Sequence, residues 1–195
     1  MKIFIKDVQG LVLPSKATPK DAGYDLVATT PPKIVGESIS RPYDGLPIWK
    51  RVAYIEYGTN IFIAPQDVEQ WNDEGVTDGG SQQPTLVGTT HYHTLLFPRS
   101  SISKQNLVLA NSVATIDNEY RGQIFLRFKY IFQPEDFVIL PEANVTKVYG
   151  IVNPDYIYNQ GDKIVQLQAH ANVDIDFEVV KDLNQTIRGD RKSVV

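Results

Sequence analysis

A stretch near the C-terminal end, residues 165–179, alternates between apolar and polar side chains without interruption. Its apolar positions are Val165, Leu167, Ala169, Ala171, Val173, Ile175, Phe177 and Val179. Successive side chains of a β-strand point to opposite faces, so this pattern predicts a long half-buried strand, or two strands around a bend, in an antiparallel sheet. A helix of the same residues would mix both classes of side chain on every face.

Shorter alternating runs predict further strands at residues 2–5, 60–64, 93–97 and 124–130. Helical spacing is rare, and the clearest case is residues 66–72, where Val68 and Trp71 would share one side of a helix of about two turns after Pro65. The chain also has 13 Gly and 12 Pro spread between these short runs. The sequence therefore predicts an all-β fold, a sandwich or barrel, with one or two short helices.

The composition limits the classes of function. A length of 195 residues suits one domain. With 19 Lys+Arg against 23 Asp+Glu the net charge is -4, so no overall basic field attracts nucleic acid. The absence of cysteine excludes disulfides, thiolate zinc sites and cysteine nucleophiles. No secretory signal or membrane span is visible, so the expected location is cytoplasmic, without a membrane partner.

The common signatures of phosphate-binding loops, dinucleotide folds, serine hydrolases and zinc proteases are missing. His91 and His93 would share a strand face, but without further ligands nearby they read as surface histidines. Four other segments each join turn residues to charged or hydroxyl side chains. They are Asp21-Ala22-Gly23-Tyr24-Asp25-Leu26, Pro98-Arg99-Ser100-Ser101, Thr115-Ile116-Asp117-Asn118-Glu119-Tyr120-Arg121-Gly122 and Asn159-Gln160-Gly161-Asp162-Lys163-Ile164-Val165-Gln166. Any one alone would suit a capped turn or a local ion pair.

Together and in this order, the four segments resemble the motifs of the dUTP pyrophosphatase (dUTPase) family, from about residue 14 to residue 188. The resemblance implies a distorted jelly roll that assembles as a homotrimer, with active sites between subunits. The implied reaction converts dUTP to dUMP and pyrophosphate by attack at the α-phosphorus, with Mg²⁺ on the triphosphate. The implied organisation is one domain at residues 1–180, with insertions at about 36–55, 66–90 and 130–157, and an arm at residues 181–195.

The third segment carries the implied catalytic and nucleoside-binding residues. By the resemblance, Asp117 orients and activates the attacking water as the general base. Tyr120 matches the tyrosine that packs under the deoxyribose and leaves no room for a 2′-hydroxyl, which would reject UTP. Asn111 and the hairpin that follows it match the segment that reads uracil, and Ile116 is placed with the substrate-binding residues.

The other segments match the family's phosphate site. Arg99 and Ser100 match a phosphate-binding pair, and Ser101 is expected to add its backbone N–H. Gln166 matches a glutamine in contact with the phosphates.

Three further residues are expected to support this site. Asp25 matches an aspartate that holds the water shell of the nucleotide-bound Mg²⁺ as an outer-shell ligand. Arg121 reads as a brace between motifs, and Gly122 is assigned to the same supporting group.

The sequence departs from the family pattern in two places. Arg188 fits the arginine expected at the γ-phosphate, but the glycine-rich, Phe-containing end of the arm is missing from residues 189–195. Without that lid the triphosphate would be more exposed to water, which would weaken catalysis. Ala114 stands where the uracil hairpin usually has glycine, and its Cβ restricts a close approach to the base.

Two alternatives remain open at this point. A dCTP deaminase shares the fold and an Arg-Ser-Ser segment, but Asp117 and the run from Tyr120 to Gly122 favour the diphosphatase. A binding or regulatory relative with weak or lost catalysis is the other reading, motivated by the altered arm and the insertions. Such a protein would retain nucleotide affinity or a protein partner without magnesium-dependent turnover.

Overall fold

The computed structural model describes residues 1–72, 85–142 and 145–180. These residues form strands, turns and three short 3₁₀ helices, with no α-helix among them, which confirms the predicted all-β class. The strands are β1 (Ile3–Ile5), β2 (Tyr24–Val27), β3 (Lys33–Ser38), β4 (Ile48–Gly58), β5 (Ile63–Pro65), β6 (Val68–Asn72), β7 (Thr85–Thr90), β8 (Tyr92–Pro98), β9 (Leu107–Leu109), β10 (Ala114–Ile116), β11 (Phe125–Tyr130), β12 (Phe137–Glu142), β13 (Val145–Ile151) and β14 (Lys163–Ala171). The 3₁₀ helices are Ser100–Lys104, Pro134–Asp136 and Pro154–Tyr156.

Two antiparallel sheets build the body of the molecule. One has the order β10-β8-β14-β2, and the other has the order β12-β13-β4-β11-β9 with β3 also paired to β4. Both sheets contribute to one apolar core, with Leu26, Leu96 and Val165 from the first and Tyr57 and Phe128 from the second. All five side chains are essentially inaccessible to solvent. The arrangement is therefore a β-sandwich whose sheets meet through apolar side chains.

Tyr57 is a polar residue at the centre of this core. Its ring meets Phe128 edge to face, with ring centroids 5.7 Å apart. Its hydroxyl donates a hydrogen bond to the backbone carbonyl of Tyr158 at 3.0 Å, which satisfies the buried O–H. Burial raises the pKa of the Tyr57 phenol well above its usual value.

We expect the protein to lose stability as the pH rises above about 10, because the unfolded chain then ionises Tyr57 while the folded chain keeps the proton. Tyr57→Phe removes the titrating group and should flatten this loss, while the missing hydrogen bond costs about 1 kcal/mol at neutral pH. Urea unfolding of both proteins from about pH 8 to about pH 11 measures the two effects. An equal decline in both proteins would contradict the assignment.

The alternating runs differ in how far they form strands. In β11 the alternation holds throughout, with Leu126, Phe128 and Tyr130 buried and the residues between them exposed. The strand predicted at 165–179 forms only in its first half, because β14 ends at Ala171 and residues 172–180 form no strand. Asn172 N–H donates to the His91 carbonyl at 2.9 Å, and beyond Asn172 no described strand lies alongside the chain. Alternation without a neighbouring strand does not form a sheet.

The predicted helix at residues 66–72 is wrong. Residues 68–72 form β6, which pairs antiparallel with β7 in a two-stranded ribbon. Val68 lies opposite Thr90 and Trp71 lies opposite Leu86, and the Gln70 amide donates to the Thr90 hydroxyl at 2.9 Å. Cross-strand pairing therefore overrides a local spacing that also suited a helix. Residues 73–84, within the stretch expected to be an insertion at about 66–90, lie outside the described residues.

The stretches expected to be insertions contain paired strands. The one at 36–55 includes most of β4, whose Ile48 and Ile55 side chains are fully buried, so it supplies core residues. The one at 130–157 contributes β12 and β13 at the edge of the larger sheet. The division into a core domain and insertions stays a prediction, and the arm at 181–195 lies outside the described residues.

Within the described part of the chain, no helix is long and apolar enough to cross a membrane.

Candidate active site

A buried carboxylate with two cationic partners lies on the smaller sheet. Asp25 of β2 is 3% exposed, and the Arg99 Nε atom lies 2.9 Å from its Oδ1. The Lys163 Nζ atom lies 3.1 Å from Oδ2, and the Gln166 amide donates to Oδ1 at 3.4 Å. We call these four residues the Asp25 cluster. One carboxylate against two cations leaves a net positive charge at this position.

Strand pairing explains why these residues meet. β14 lies between β2 and β8, so Gln166 is opposite both Asp25 and Phe97. Arg99 follows Pro98 at the end of β8 and therefore reaches the same end of the sheet. The approach of β2 to β14 requires glycine at position 23, because a Cβ there would lie 2.9 Å from the Gln166 Cβ.

The Asp25 cluster presents cationic groups that can bind an anion. The side chains of Arg99 and Lys163 are 28% and 40% exposed, so both cations reach solvent while Asp25 does not. Ser100 and Ser101 begin the adjacent 3₁₀ helix, and the Ser101 hydroxyl is 3.5 Å from the Tyr158 hydroxyl, whose pKa is raised by burial. A guanidinium, an ammonium and nearby hydroxyls are the groups that bind phosphate oxygens.

A second site surrounds the turn between β9 and β10. It is a cavity of about 430 Å³, a volume suited to a nucleoside-sized ligand. Its lining residues are Leu109, Ala110, Asn111, Ala114, Tyr120, Gln123, Phe125, Leu126 and Arg127. We call it the hairpin pocket. Asn111 lies in the turn itself, where Ser112 adopts a left-handed conformation with φ 60° and Ser112 N–H donates to Leu109 carbonyl.

Tyr120 forms one wall of the hairpin pocket. Its hydroxyl donates to the Gln123 carbonyl at 2.9 Å, and its ring lies against Gly122. A Cβ at position 122 would lie 2.5 Å from the Tyr120 hydroxyl oxygen, so glycine is what allows this ring position. Arg121 donates to the carbonyls of Asn118 and Tyr120, so the contacts that it makes with described residues brace its own turn.

Asp117 comes directly after β10. It is exposed, and none of the residues that the structure describes forms a hydrogen bond or ion pair with its carboxylate. A free carboxylate at the surface can accept a hydrogen bond from a water molecule. Ile116 is half-buried in β10 opposite Thr94, packs against the core and does not line the hairpin pocket.

One chain does not bring Asp117 to the Asp25 cluster. β10 is antiparallel to β8 with Ile116 opposite Thr94, so Asp117 lies towards the start of β8. The register continues to place Asp117 level with His93, and Arg99 follows His93 by six residues, beyond the other end of the same strand. At about 3.4 Å per residue, this places the two groups about 20 Å apart along the sheet.

The structure therefore divides the residues predicted from the sequence into two groups. Asp25, Arg99 and Gln166 meet in the Asp25 cluster, with Ser100 and Ser101 beside it, while Asn111 and Tyr120 meet at the hairpin pocket with Arg121 and Gly122 bracing the turn. Arg188 lies outside the described residues.

Sequence reasoning missed Lys163 as a member of the site. The signal was present in the fourth segment, where Lys163 precedes Gln166 by three residues. A buried aspartate such as Asp25 needs a cationic partner, and two cations were available in the motifs.

The most informative sequence relative is the deoxyuridine 5'-triphosphate nucleotidohydrolase of Corynebacterium glutamicum. It is 30% identical over 147 residues, which cover 75% of this chain and 84% of the relative. The enzyme of the same name from the gamma-proteobacterium EBAC31A08 is 30% identical over 98 residues, 50% of this chain. The match spans only 56% of that relative, and also 56% of the one from Finegoldia magna. No family model matches the chain.

Solved structures show the same fold over almost the whole chain. A dUTPase mutant of Staphylococcus bacteriophage 80alpha, solved with dUpNHpp, has a TM-score of 0.56 at 18% identity and covers 98% of this chain and 95% of that one. A dUTPase mutant of phage phi11 of S. aureus, described with a structural Mg(II) ion, has a TM-score of 0.54 at 17% identity, covering 93% and 98%. These similarities confirm the expected distorted jelly roll.

Proposed function

The chain belongs to the dUTPase family, and from this premise we propose that it hydrolyses dUTP to dUMP and pyrophosphate. The observation that carries the proposal is that its family motifs build two distinct sites, a cationic cluster and a nucleoside-sized pocket. In the cytoplasm, this reaction would limit uracil incorporation into DNA and supply dUMP for dTMP synthesis.

The Asp25 cluster is the proposed triphosphate site. Arg99 would turn its guanidinium towards the phosphates, and Ser100, Ser101 and Gln166 would add hydrogen bonds. Lys163 then keeps the buried Asp25 carboxylate paired when Arg99 leaves it. This division of roles avoids leaving an unpaired charge in the core during binding.

Asp117 is the proposed general base. It accepts a proton from a water molecule as the water oxygen attacks the α-phosphorus. The bond from the α-phosphorus to the oxygen bridging the β-phosphorus breaks, and pyrophosphate leaves with that oxygen. The cations around the triphosphate stabilise the charge that develops on the leaving group.

The described residues include no group of three or more His, Cys, Asp or Glu side chains suited to a metal ion. We therefore assign Mg²⁺ to the substrate, as the ion bound to the triphosphate, in keeping with its tendency to retain water and use phosphate ligands. Asp25 is the carboxylate proposed to face its water shell. Both its oxygens now contact cations, so this role requires Arg99 to release Oδ1 first.

We propose a homotrimer with sites shared between subunits, and the separation of Asp117 from Arg99 supports sharing. Asp117 and Arg99 lie about 20 Å apart along one chain, which is too far for a single phosphate chain to contact both within one subunit. Residues 172–180 support an assembly too, because Val173 and Phe177 are 80% and 90% exposed and would gain from burial. Arg188 of the arm is the proposed γ-phosphate ligand.

Tyr120→Ala is expected to raise the turnover of UTP relative to dUTP by about tenfold or more, because the ring no longer excludes a 2′-hydroxyl. Steady-state kcat/KM values for both nucleotides measure this ratio. Tyr120→Phe is the matched control, since it keeps the ring and loses only the hydrogen bond to the Gln123 carbonyl. Unchanged selectivity in the alanine variant would remove the assigned role.

The function itself is tested by measuring pyrophosphate release from dUTP, dCTP, dTTP and UTP with Mg²⁺. Release confined to dUTP would support the proposal despite the altered arm. Ammonia release from dCTP would instead indicate a deaminase. Folded trimer that binds dUTP without releasing pyrophosphate would indicate a binding or regulatory protein.

A further inference from the structure

A polar contact joins the residue that precedes β6 to the residue that follows β7, at the base of the β6–β7 ribbon. Asp67 lies just before β6, and His91 lies between β7 and β8. The His91 Nδ1 atom is 3.0 Å from the Asp67 Oδ2 atom. Asp67 is therefore held at the base of the ribbon, where the ribbon joins the sandwich.

The other oxygen of the Asp67 carboxylate contacts the turn at residues 117–120, which we call the catalytic turn because it begins with the proposed base. The Asn118 amide donates to Asp67 Oδ1 at 2.7 Å, the shorter of the two contacts. Asn118 is the neighbour of Asp117, and its carbonyl accepts a hydrogen bond from Arg121. Tyr120 N–H donates to the Asp117 carbonyl at 3.1 Å, so the turn is bonded internally. The hydrogen bond to Asp67 therefore attaches this turn to the base of the β6–β7 ribbon.

The turn needs such an anchor because β10 is an edge strand. β10 pairs only with β8 in the order of its sheet, so its other side has no neighbouring strand within the described chain. The Asp117 carboxylate is itself unpaired among the described residues, and its direction depends on the backbone of the turn. Displacement of a reacting group by about 1 Å can slow a reaction by about 10²-fold.

We propose that Asp67 is a positioning residue that holds Asp117 through Asn118, an inference that rests on the proposed dUTP hydrolysis. An ionised acceptor makes a stronger hydrogen bond than a neutral one and holds the amide more firmly. His91 fixes the second oxygen of Asp67 and so limits rotation of the carboxylate. The ribbon thereby contributes to catalysis through its base, although its strands lie outside both sheets of the sandwich.

The kinetic test is Asp67→Ala in the full-length chain. We expect kcat for dUTP to fall by about tenfold while KM and the Kd of dUpNHpp change by less than about twofold. The base next to Asn118 loses its anchor, whereas the Asp25 cluster lies outside this turn and the Tyr120 side chain keeps its own hydrogen bond to the Gln123 carbonyl. Asp67→Asn keeps an oxygen that can accept from Asn118 and should restore most of kcat. Glu69→Ala is the matched control, since this carboxylate of the same ribbon contacts Trp71 and not the turn.

Two further measurements separate positioning from a general loss of structure. In an Asn118→Ala background, Asp67→Ala should lower kcat no further, because both changes remove the same contact. In the nucleotide-free protein, Asp67→Ala should speed hydrogen exchange at the Tyr120 amide but not at amides of β11. Additive losses, or a rise in KM with unchanged kcat, would overturn the inference.

The exchange experiment also keeps the two proposals distinct. A wild-type chain that fails to hydrolyse dUTP would overturn the proposed function, whereas faster exchange at Tyr120 in Asp67→Ala would still support the anchor. Unchanged exchange at Tyr120 would overturn the anchor whether or not the chain hydrolyses dUTP.

Discussion

Asp117→Asn is expected to lower kcat for dUTP hydrolysis by about 10³-fold, because the amide has nearly the same shape as the carboxylate but cannot take a proton from water. Binding should be retained, since the exposed Asp117 side chain has no hydrogen-bond or ion-pair partner among the described residues whose loss would disturb the fold. Pyrophosphate release measures kcat, and the Kd of dUpNHpp checks binding. A decrease smaller than about tenfold would exclude Asp117 as the general base.

The same variant tests whether the site is shared between subunits. Arg99→Ala removes the proposed phosphate ligand and should also be nearly inactive. If Asp117 and Arg99 act from different chains, refolding the two variants together at equal amounts creates some sites with both wild-type residues. Random mixing would make about a quarter of the sites complete. Mixed trimers without recovered activity would contradict a site built from two chains.

Removing both cations of the Asp25 cluster is expected to cost far more stability than the two single replacements together. Arg99→Ala or Lys163→Met alone should each cost about 1 kcal/mol, because the remaining cation still pairs with Asp25 and both cations are partly hydrated. The double variant leaves a carboxylate that is 3% exposed without a cation, which costs about 3–5 kcal/mol. Urea unfolding of the four proteins near neutral pH measures the coupling.

A surface pair offers the matched control for this cycle. Lys50 contacts Glu37 at 2.6 Å, but the two side chains are 50% and 59% exposed. Lys50→Met should therefore leave the free energy of unfolding nearly unchanged. Additive effects of the Arg99 and Lys163 replacements would show that Asp25 does not depend on them for its burial.

The strands that could be predicted are those whose pairing matches their own pattern. β11 alternates along its length because each of its residues lies between β4 and β9 or next to one of them. Residues 172–180 continue an equally regular pattern, yet they form no strand because no described strand lies beside them. Residues 66–72 show the opposite case. Their apolar spacing predicted a helix, but residues 68–72 form a strand because they pair with β7.

The candidate site divides in the same way. The resemblance of the four segments was sufficient to propose Asp117, Arg99 and Tyr120 as site residues, because a motif specifies which side chains are present and in what order. It did not predict that Lys163 shares Asp25 with Arg99, because that contact depends on the register of β14 against β2.

The fold class was thus available from the side-chain period, a local property of the chain, and the proposed chemistry came from the resemblance of the four segments to a known family. Three features required the folded molecule: the two cations on Asp25, the contact of Asp67 with the turn that follows Asp117, and the distance that separates Asp117 from Arg99. Each joins residues from different strands or loops. Their geometry is set by strand pairing across the sheets, and no local pattern in the sequence encodes it.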